Sequence, residues 1–201
     1  HTLITDRVAA RISKNAYAKV GSLAQNAIQR KKDEDGLTAI DGASLTIGSS
    51  GSALTTGMIA AAVSRISSDA DEPGNPPYRA VLHGFQIKDL YDAVASISSG
   101  NPPSQGLTDG LSARVFQEGF RGRIHNCEIF EDGNITITSN ACKGGIFAQE
   151  ALILVQGRSP RTETRREPHI GGGSTSVFLY DEYAYGERSA GNWLFEVETD
   201  A

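Results

Sequence analysis

A run of seven polar residues, Arg161 to Glu167, limits the fold more than any other part of the chain. If the run is extended, alternate side chains point to opposite faces. One face then carries charges of alternating sign, from Arg161, Glu163, Arg165 and Glu167, and the other carries Thr162, Thr164 and Arg166. Neither face suits a hydrophobic core, so we expect the strand to be solvated or docked against complementary charges of another chain. The charged residues Arg161, Glu163, Arg165, Arg166 and Glu167 are therefore candidate subunit-interface residues.

Two aromatic segments follow this polar run, beyond three consecutive glycines at 171–173. Residues 177–185 and 192–198 have the β-branched and aromatic composition of strands. Within the second segment, period-two alternation places Trp193, Phe195 and Val197 on one face. If that face is a core face, Trp193 is central to the stability of the subunit.

The beginning of the chain carries a stripe of small and apolar residues at every fourth position. The stripe consists of Ile4, Val8, Ile12, Ala16, Val20, Ala24 and Ile28. This spacing predicts one long helix that ends at Lys31, Lys32 and Gly36, because cations and glycine are favoured at helix carboxyl ends. About 27 residues at roughly 1.5 Å each span about 40 Å. The stripe is too rich in alanine for a coiled coil, so we expect a helix laid across a sheet or along a subunit.

The middle of the chain predicts a mixed α and β order without regular βαβ alternation. We expect a loop over 37–57, helices over 57–67, 86–97 and 145–155, a further short helix ending near 117, and strands over 78–83, 121–130 and 134–138. The last two strands are predicted to form a hairpin, because Asp132 and Gly133 lie between them.

Composition excludes several classes of protein. The chain has 201 residues, which suits one domain of ordinary size or one with a lobed insertion, and it is long enough to bury a real core. A content of 39% hydrophobic and 21% charged residues is that of a globular protein. No apolar run approaches the roughly 18 residues that a membrane helix needs. The net charge of −5 argues against nucleic acid as the main partner.

Patterns for catalysis and metal binding are weak. The glycine-rich segments 48–51 and 171–175 lack the lysine of a phosphate-binding loop, and no Gly-x-Ser-x-Gly elbow lies between a strand and a helix. A triad of Ser50, His83 and Asp89 has no supporting spacing. We therefore predict no catalytic residues, no cofactor and no metal.

The two cysteines, Cys127 and Cys142, are too sparse for a disulfide-stapled domain, and we predict two reduced, buried thiols. His125 and Cys127 would share a strand face at i, i+2, and Cys142 and His83 are the natural further ligands of a metal site. A satisfied pair in a half-buried strand is the simpler interpretation.

From residue 78 onwards the chain resembles the major capsid proteins of tailed phages. The motifs are YRAVLHG at 78–84 followed by FQIKDLY at 85–91, GFRGRIHNCEIF at 119–130, GGIFAQEAL at 144–152, DEYAYG at 181–186 and LFEVETD at 194–200. Each motif is degenerate, and their order carries most of the resemblance. The opening helix resembles, more loosely, the spine helix of the Hong Kong 97-like fold.

The resemblance implies an α+β Hong Kong 97-like capsid subunit. Residues 1–36 would form the spine helix of a peripheral region, residues 37–155 mainly an axial α/β domain, and residues 156–201 the strands that return to the peripheral β-sheet region. It also implies self-assembly into hexamers and pentamers around double-stranded DNA held by non-specific contact. Decoration, portal and scaffolding proteins would be further partners, with assembly in the host cytoplasm and a final location in the virion.

Two departures from the family pattern accompany the resemblance. The family has an N-terminal arm and an extended loop ahead of the spine helix, whereas nothing precedes His1 here, so these parts are expected to be cleaved, omitted or disordered. Asn126 stands where the family commonly has glycine. Two alternatives remain open: an encapsulin-type cellular shell protein of the same fold, and an unrelated α+β enzyme with His83, His125 and Cys127 near its site.

Overall fold

The computed structural model describes residues 1–11, 14–99, 122–188 and 192–201, with side chains left out of the description at 14–17 and 93–99. The short helix predicted to end near 117 lies outside the described residues. The helices are α1 (Asp6–Ala9), α2 (Lys14–Asp41), α3 (Thr56–Ser67) and α4 (Gly84–Ser99). The strands are β1 (Thr2–Thr5), β2 (Leu45–Gly48), β3 (Tyr78–Leu82), β4 (Arg123–Ile124), β5 (Cys127–Glu131), β6 (Ile137–Thr138), β7 (Ala141–Phe147), β8 (Leu152–Glu167), β9 (Ser174–Glu187) and β10 (Leu194–Asp200).

The first of two compact units comprises residues 1–33 and 154–185. Its sheet has three strands in the order β1-β9-β8, and β1 runs antiparallel to β9 from the pair Thr2 and Val177 to the pair Thr5 and Ser174. The turn between β8 and β9 contains the three glycines 171–173, whose φ angles are 61°, 80° and 110°. These left-handed conformations explain why glycine is used there.

The second unit comprises residues 34–153 and 186–201. Its seven-stranded mixed sheet has the order β2-β10-β7-β3-β5-β4, with β6 paired to β7. Strands β2 and β5 lie parallel to their neighbours β10 and β3, whereas the pairs of β7 with β10 and with β3 are antiparallel. One hydrophobic core joins this sheet to α3 and α4. Its members include Ile59, Ile66, Leu82, Leu90, Ile146, Leu194, Phe195 and Val197.

Trp193 anchors the start of β10 in this core. Its side chain is 2% exposed, and its indole Nε1 donates a 2.6 Å hydrogen bond to the backbone oxygen of Glu72. The guanidinium of Arg188 lies over the ring at 4.9 Å from its centroid. Phe195 and Val197 are also buried, so the face predicted for these three residues is a core face.

The long helix is present, but its bounds differ from the prediction. Ile4 lies in β1 and Val8 in α1, and α2 passes through a buried Gly36 to end at Asp41. The extension is explained by packing, because Leu37 and the 4%-exposed Ile40 contact the core of the second unit and outweigh the low helix propensity of glycine. In α2 the stripe residues Val20, Ala24 and Ile28 are half-buried and their neighbours are exposed, whereas the stripe residue Val8 in α1 is 45% exposed.

The helix predicted over 145–155 is wrong, because these residues belong to β7, a turn and the start of β8. A Cβ on Gly144 would lie 2.6 Å from the backbone oxygen of Val81 on the adjacent strand, so this glycine permits a close strand approach. Strand β7 lies between β3 and β10, and nearly all of it is buried. A strand buried on both faces has a continuous apolar sequence, which periodicity does not distinguish from a buried helix.

The hairpin predicted around Asp132 and Gly133 is also wrong. Strand β5 pairs with β3 and β4, and β6 pairs with β7. The two tight hairpin turns lie instead at residues 125–126 and 139–140, where all four φ angles are between 48° and 69°. Two consecutive residues with positive φ define a type I′ turn, which matches the twist of paired strands.

Asn126 has a φ angle of 65° at the second position of its turn. Glycine and asparagine tolerate this conformation better than other residues do. The departure from the family pattern at this position is therefore a substitution between two residues that suit the same backbone.

Three other elements agree with the sequence-based predictions. Strand β3 and helix α4 match their predicted positions within a few residues. Helix α3 begins at Thr56, and its N-cap is Thr55, whose hydroxyl accepts a hydrogen bond from the backbone N–H of Met58. The loop predicted over 37–57 is partly wrong, because α2 continues to Asp41 and residues 45–48 form β2, which pairs with the distant strand β10.

Candidate assembly surface

Strand β8 is an exposed edge strand of the first unit's sheet. Its 16 residues, Leu152–Glu167, span roughly 50 Å at about 3.3 Å each. Every side chain from 153 to 166 is exposed, so both faces of the strand meet solvent. Within the described residues β8 pairs only with β9, and its other edge presents unpaired backbone groups. The extended, two-sided exposure predicted for the polar run is confirmed.

The charged side chains of residues 161, 163 and 165 lie on one face of the sheet. On the neighbouring strand β9, Tyr180 lies on the same face. The guanidinium of Arg161 lies 5.5 Å from the centroid of the Tyr180 ring and 3.2 Å from the carboxylate of Glu163. Both members of this ion pair are about half exposed, so the pair contributes little to folding. Arg165 is exposed farther along the same face. The face is a row of accessible charges rather than a closed network.

Arg166 and Glu167 are partly used within their own chain. A guanidinium nitrogen of Arg166 lies 2.9 Å from the carboxylate of Asp6 at the start of α1. The backbone oxygen of Glu167 accepts a hydrogen bond from the hydroxyl of Ser174, which closes the turn to β9. Of the five candidate interface residues, these two therefore also hold the end of β8 in place.

The opposite end of β8 is apolar and equally exposed. Ile153, Leu154 and Val155 are 43%, 47% and 59% exposed. Consecutive exposed apolar residues on an edge strand are uncommon in a monomer and are typical of interaction surfaces. This feature was not predicted, because residues 153–155 were expected to lie in a helix. A period-two test on 152–156 alone would not have found it, since apolar residues occupy both faces.

A nearly buried ion pair fixes the sheet that carries β8. The ammonium of Lys32 on α2 lies 2.6 Å from the carboxylate of Asp181 on β9, and these side chains are 21% and 4% exposed. The same ammonium lies 5.1 Å from the centroid of the Tyr183 ring. The side-chain amide of Gln156 on β8 donates to the other carboxylate oxygen of Asp181 at 3.3 Å. Helix α2, β9 and β8 are thus linked through one aspartate.

The histidines and cysteines are not arranged as the sequence analysis expected. His125 lies in an exposed turn with positive φ, whereas Cys127 is buried at the start of β5, so the predicted shared strand face is wrong. Among the described residues, no group of three or more His, Cys, Asp or Glu side chains could hold a metal ion. Both cysteines are buried and free, in agreement with the prediction.

The environment of the thiols disfavours nucleophilic chemistry. Burial, with a smaller contribution from Glu128, raises the pKa of Cys127 to about 12. Burial also raises the pKa of Cys142, with Asp89 and Asp200 adding to the shift. A catalytic cysteine needs a lowered pKa, because the thiolate is the reactive form.

Two of the three residues of the hypothetical triad, Asp89 and His83, have structural roles. The carboxylate of Asp89 accepts a 3.1 Å hydrogen bond from the backbone N–H of Leu54. The Nδ1 atom of His83 accepts one from the backbone N–H of Phe85 at the start of α4. Ser50 lies in an exposed turn after β2.

In the described part of the chain, no helix has the length and hydrophobicity needed to cross a membrane.

No protein-family model matches the sequence, and no curated protein matches it. Solved structures do match the fold. A structure of Mycobacterium phage Che8 superposes with a TM-score of 0.70 at 19% identity, covering 98% of this chain and 68% of that one.

Two further structures give the same result at lower identity. The capsid of Ralstonia phage GP4 has a TM-score of 0.67 at 11% identity and covers 100% of this chain and 72% of its own. The holo-SrpI encapsulin complex from Synechococcus elongatus PCC 7942 has a TM-score of 0.67 at 8% identity, covering 99% of this chain and 72% of that one. The mixed α and β architecture predicted from the sequence is confirmed. The chain has the Hong Kong 97-like fold of phage capsid structures.

Proposed function

We propose that the chain is a structural subunit of an icosahedral phage capsid that assembles with its own copies into hexamers and pentamers around double-stranded DNA. One observation carries the proposal: four solved phage structures, three of which are described as capsids, match 98–100% of the chain with TM-scores from 0.62 to 0.70. Because these phage structures are only 11–19% identical to the chain, they establish the fold, and the function is inferred from fold and surface together.

The surface of the chain supports a role in assembly. A shell subunit needs complementary faces repeated on every copy and many modest contacts rather than one deep site. The exposed edge of β8 offers such a face, with charged residues at one end and apolar residues at the other. In this proposal the candidate residues Arg161, Glu163, Arg165, Arg166 and Glu167 lie at a contact between subunits.

The regional organisation belongs to the same proposal. The spine helix in residues 1–36 and the return strands in residues 156–201 form the peripheral region, and residues 37–155 form mainly the axial domain. The compact grouping of residues 1–33 with residues 154–185 supports this pairing. Strand β10 is the exception to this assignment: because it pairs within the seven-stranded sheet of the second unit, we assign it to the axial domain.

The role is structural rather than catalytic. The buried thiols with raised pKa and the structural use of His83 and Asp89 support this assignment. Decoration, portal and scaffolding proteins are the expected further partners, DNA is held by non-specific contact, and the subunit is assembled in the host cytoplasm before it resides in the virion.

An encapsulin-type shell protein is the second candidate. The encapsulin structure matches with the same TM-score, 0.67, as the phage GP4 capsid, so the fold alone does not separate the two. The contents of the shell distinguish them: a phage head holds nuclease-protected double-stranded DNA, whereas an encapsulin-type shell holds a protein cargo.

Negative-stain electron microscopy of the purified chain tests the proposal. We expect closed shells or capsomer rings. A monodisperse monomer under all assembly conditions tested would contradict a shell role of either kind. Nuclease protection and gel analysis of particles isolated from the native source then separate the candidates, since DNA supports the phage capsid and a co-purifying protein cargo supports the alternative.

A further inference from the structure

The polar run of β8 is bracketed by two prolines, and this limits how its open edge can pair. Pro160 lies within β8, and Pro168 follows its last residue. Proline has no N–H to donate to a neighbouring strand, so within a sheet its nitrogen faces an open edge. The nitrogen of Pro160 therefore faces the open edge of β8. In an antiparallel strand, the N–H and C=O of one residue point to the same edge, and those of the next residue point to the opposite edge. The N–H and C=O groups of Thr162, Thr164 and Arg166 therefore face the open edge too.

We infer that β8 pairs edge to edge with β8 of a second copy of the chain, antiparallel and centred on Thr164. The inference rests on the proposed shell function and specifies one of its contacts. A two-fold axis through Thr164 would join two three-stranded sheets into one six-stranded sheet. Such an isologous contact uses the same patch on both copies. The ladder runs from 161 to 167 and stops where Pro160 of each copy meets Pro168 of the other.

Charge complementarity sets this register. With Thr164 opposite Thr164 of the partner copy, Arg161 lies opposite Glu167 and Glu163 lies opposite Arg165. Two-fold symmetry repeats each pair, so four pairs of opposite charges face each other across the edge on one face of the sheet. Opposite charges at directly facing strand positions stabilise a pair of strands, and like charges destabilise it.

Neighbouring registers lose this match. Centring the pair on Glu163 would place Arg161 opposite Arg165 and Glu163 opposite itself. Centring it on Thr162 would keep only the pair of Arg161 with Glu163. Within this segment, the register at Thr164 uses all four alternating charges. The backbone of the segment is already extended and exposed in the single chain, so pairing requires little ordering.

Cysteine cross-linking tests the register directly. Facing residues of a hydrogen-bonded antiparallel pair have Cα atoms about 5.5 Å apart, which a disulfide can span. We expect T164C to give a covalent dimer on a non-reducing gel after mild oxidation. T162C is the control, because the two copies of position 162 would be four residues out of register, roughly 13 Å apart. The native Cys127 and Cys142 are buried in the folded chain and give a low background.

Two double variants of equal composition provide an independent test. E163R/R165E exchanges the two charges and keeps every facing pair complementary. R161E/E163R also exchanges one arginine with one glutamate, but it makes all four facing pairs alike. We expect the first to self-associate as the wild type does in analytical ultracentrifugation. The second is expected to bind at least about tenfold more weakly, as is the single variant R165E.

This comparison also separates the contact between copies from the local ion pair. R161E/E163R preserves the attraction between positions 161 and 163 within one strand, whereas E163R/R165E removes it. If only the local pair mattered, the order of the two variants would be reversed. Circular dichroism confirms that each variant is folded before its association is compared.

The outcomes distinguish this contact from the shell function itself. Equal cross-linking of T164C and T162C, cross-linking of neither, or equal association of the two double variants would overturn the register. If the wild type still forms shells in that case, the shell function stands without this contact. A T164C dimer together with a wild type that forms no shells would support the pairing and remove the shell proposal.

Discussion

The side-chain amide of Gln86 donates a 2.8 Å hydrogen bond to the hydroxyl of Thr199, and both side chains are fully buried. The same amide nitrogen lies 3.1 Å from the backbone oxygen of Val197 and 3.3 Å from that of Cys142. Its carbonyl oxygen accepts from the backbone N–H of His83 at 3.0 Å. One glutamine therefore links the start of α4 to β10 and β7 in the interior of the second unit.

Replacing Gln86 with leucine should destabilise the subunit by about 2–3 kcal/mol, because buried acceptors and one buried donor lose their partner. Urea unfolding followed by circular dichroism measures the change. Lys88→Ala is the matched control on the same helix: Lys88 is exposed and forms a surface ion pair with Asp92, so its loss should leave the unfolding midpoint nearly unchanged. Similar midpoints for both variants would contradict a structural role of the buried glutamine.

Trp193→Ala should lower the free energy of unfolding by roughly 3–5 kcal/mol, the usual cost of removing a buried aromatic side chain. Trp193→Phe retains an aromatic ring but loses the hydrogen bond to the backbone oxygen of Glu72, so its loss should be smaller. Chemical denaturation monitored by far-ultraviolet circular dichroism ranks the three proteins. An alanine variant as stable as the wild type would mean that the side chain does not pack in the core.

Reversing Arg165 and Arg166 to glutamate should weaken assembly more than it weakens folding. Both side chains are exposed, and the ion pair of Arg166 with Asp6 is a surface pair of small energetic value. Particle yield by electron microscopy and the thermal midpoint of the dissociated subunit are measured on the same preparations. If the two quantities fall together, the arginines act on the stability of the subunit and the proposed interface role is wrong.

Cys127 should make stability fall in alkaline solution. Its folded pKa is raised to about 12 from the ordinary value of 9.0. The folded state therefore keeps a proton that the unfolded chain releases, so the stabilisation is fully present below about pH 9 and is lost as the pH rises towards 12. We expect Cys127→Ala to show a smaller loss of stability between pH 9 and 11 than the wild type. In the native wild type at pH 8, this thiol should resist a disulfide reagent and react only after unfolding.

Much of the local structure follows from short-range patterns in the sequence. The i, i+4 spacing of Val20, Ala24 and Ile28 predicts the inner face of a long helix, and these residues are the half-buried ones. The polar run 161–167 predicts a strand that no core could cover on either face, and the strand is exposed on both. Alternation at 193, 195 and 197 predicts a shared face, which is buried. Each of these signals lies within one element.

Pairing between elements was decided only by the tertiary structure. Residues 145–147 form a strand rather than a helix because two neighbouring strands lie on either side of them, and Gly144 lets one approach closely. His125 lies in a turn rather than on a strand face because β4 and β5 fold back on each other at that point. The role of Gln86 depends on Thr199, more than a hundred residues away along the chain.

The physical reason for this division is the range of the interactions. Helix and strand periodicity reflect local backbone geometry and the need to bury one face, which a short window of sequence records. Strand partners and buried hydrogen bonds depend on which distant segments the folded chain brings together, and a local pattern does not record them. By itself the sequence determined the exposed charged strand and the long helix, and the tertiary structure decided that this strand lies at the edge of its sheet.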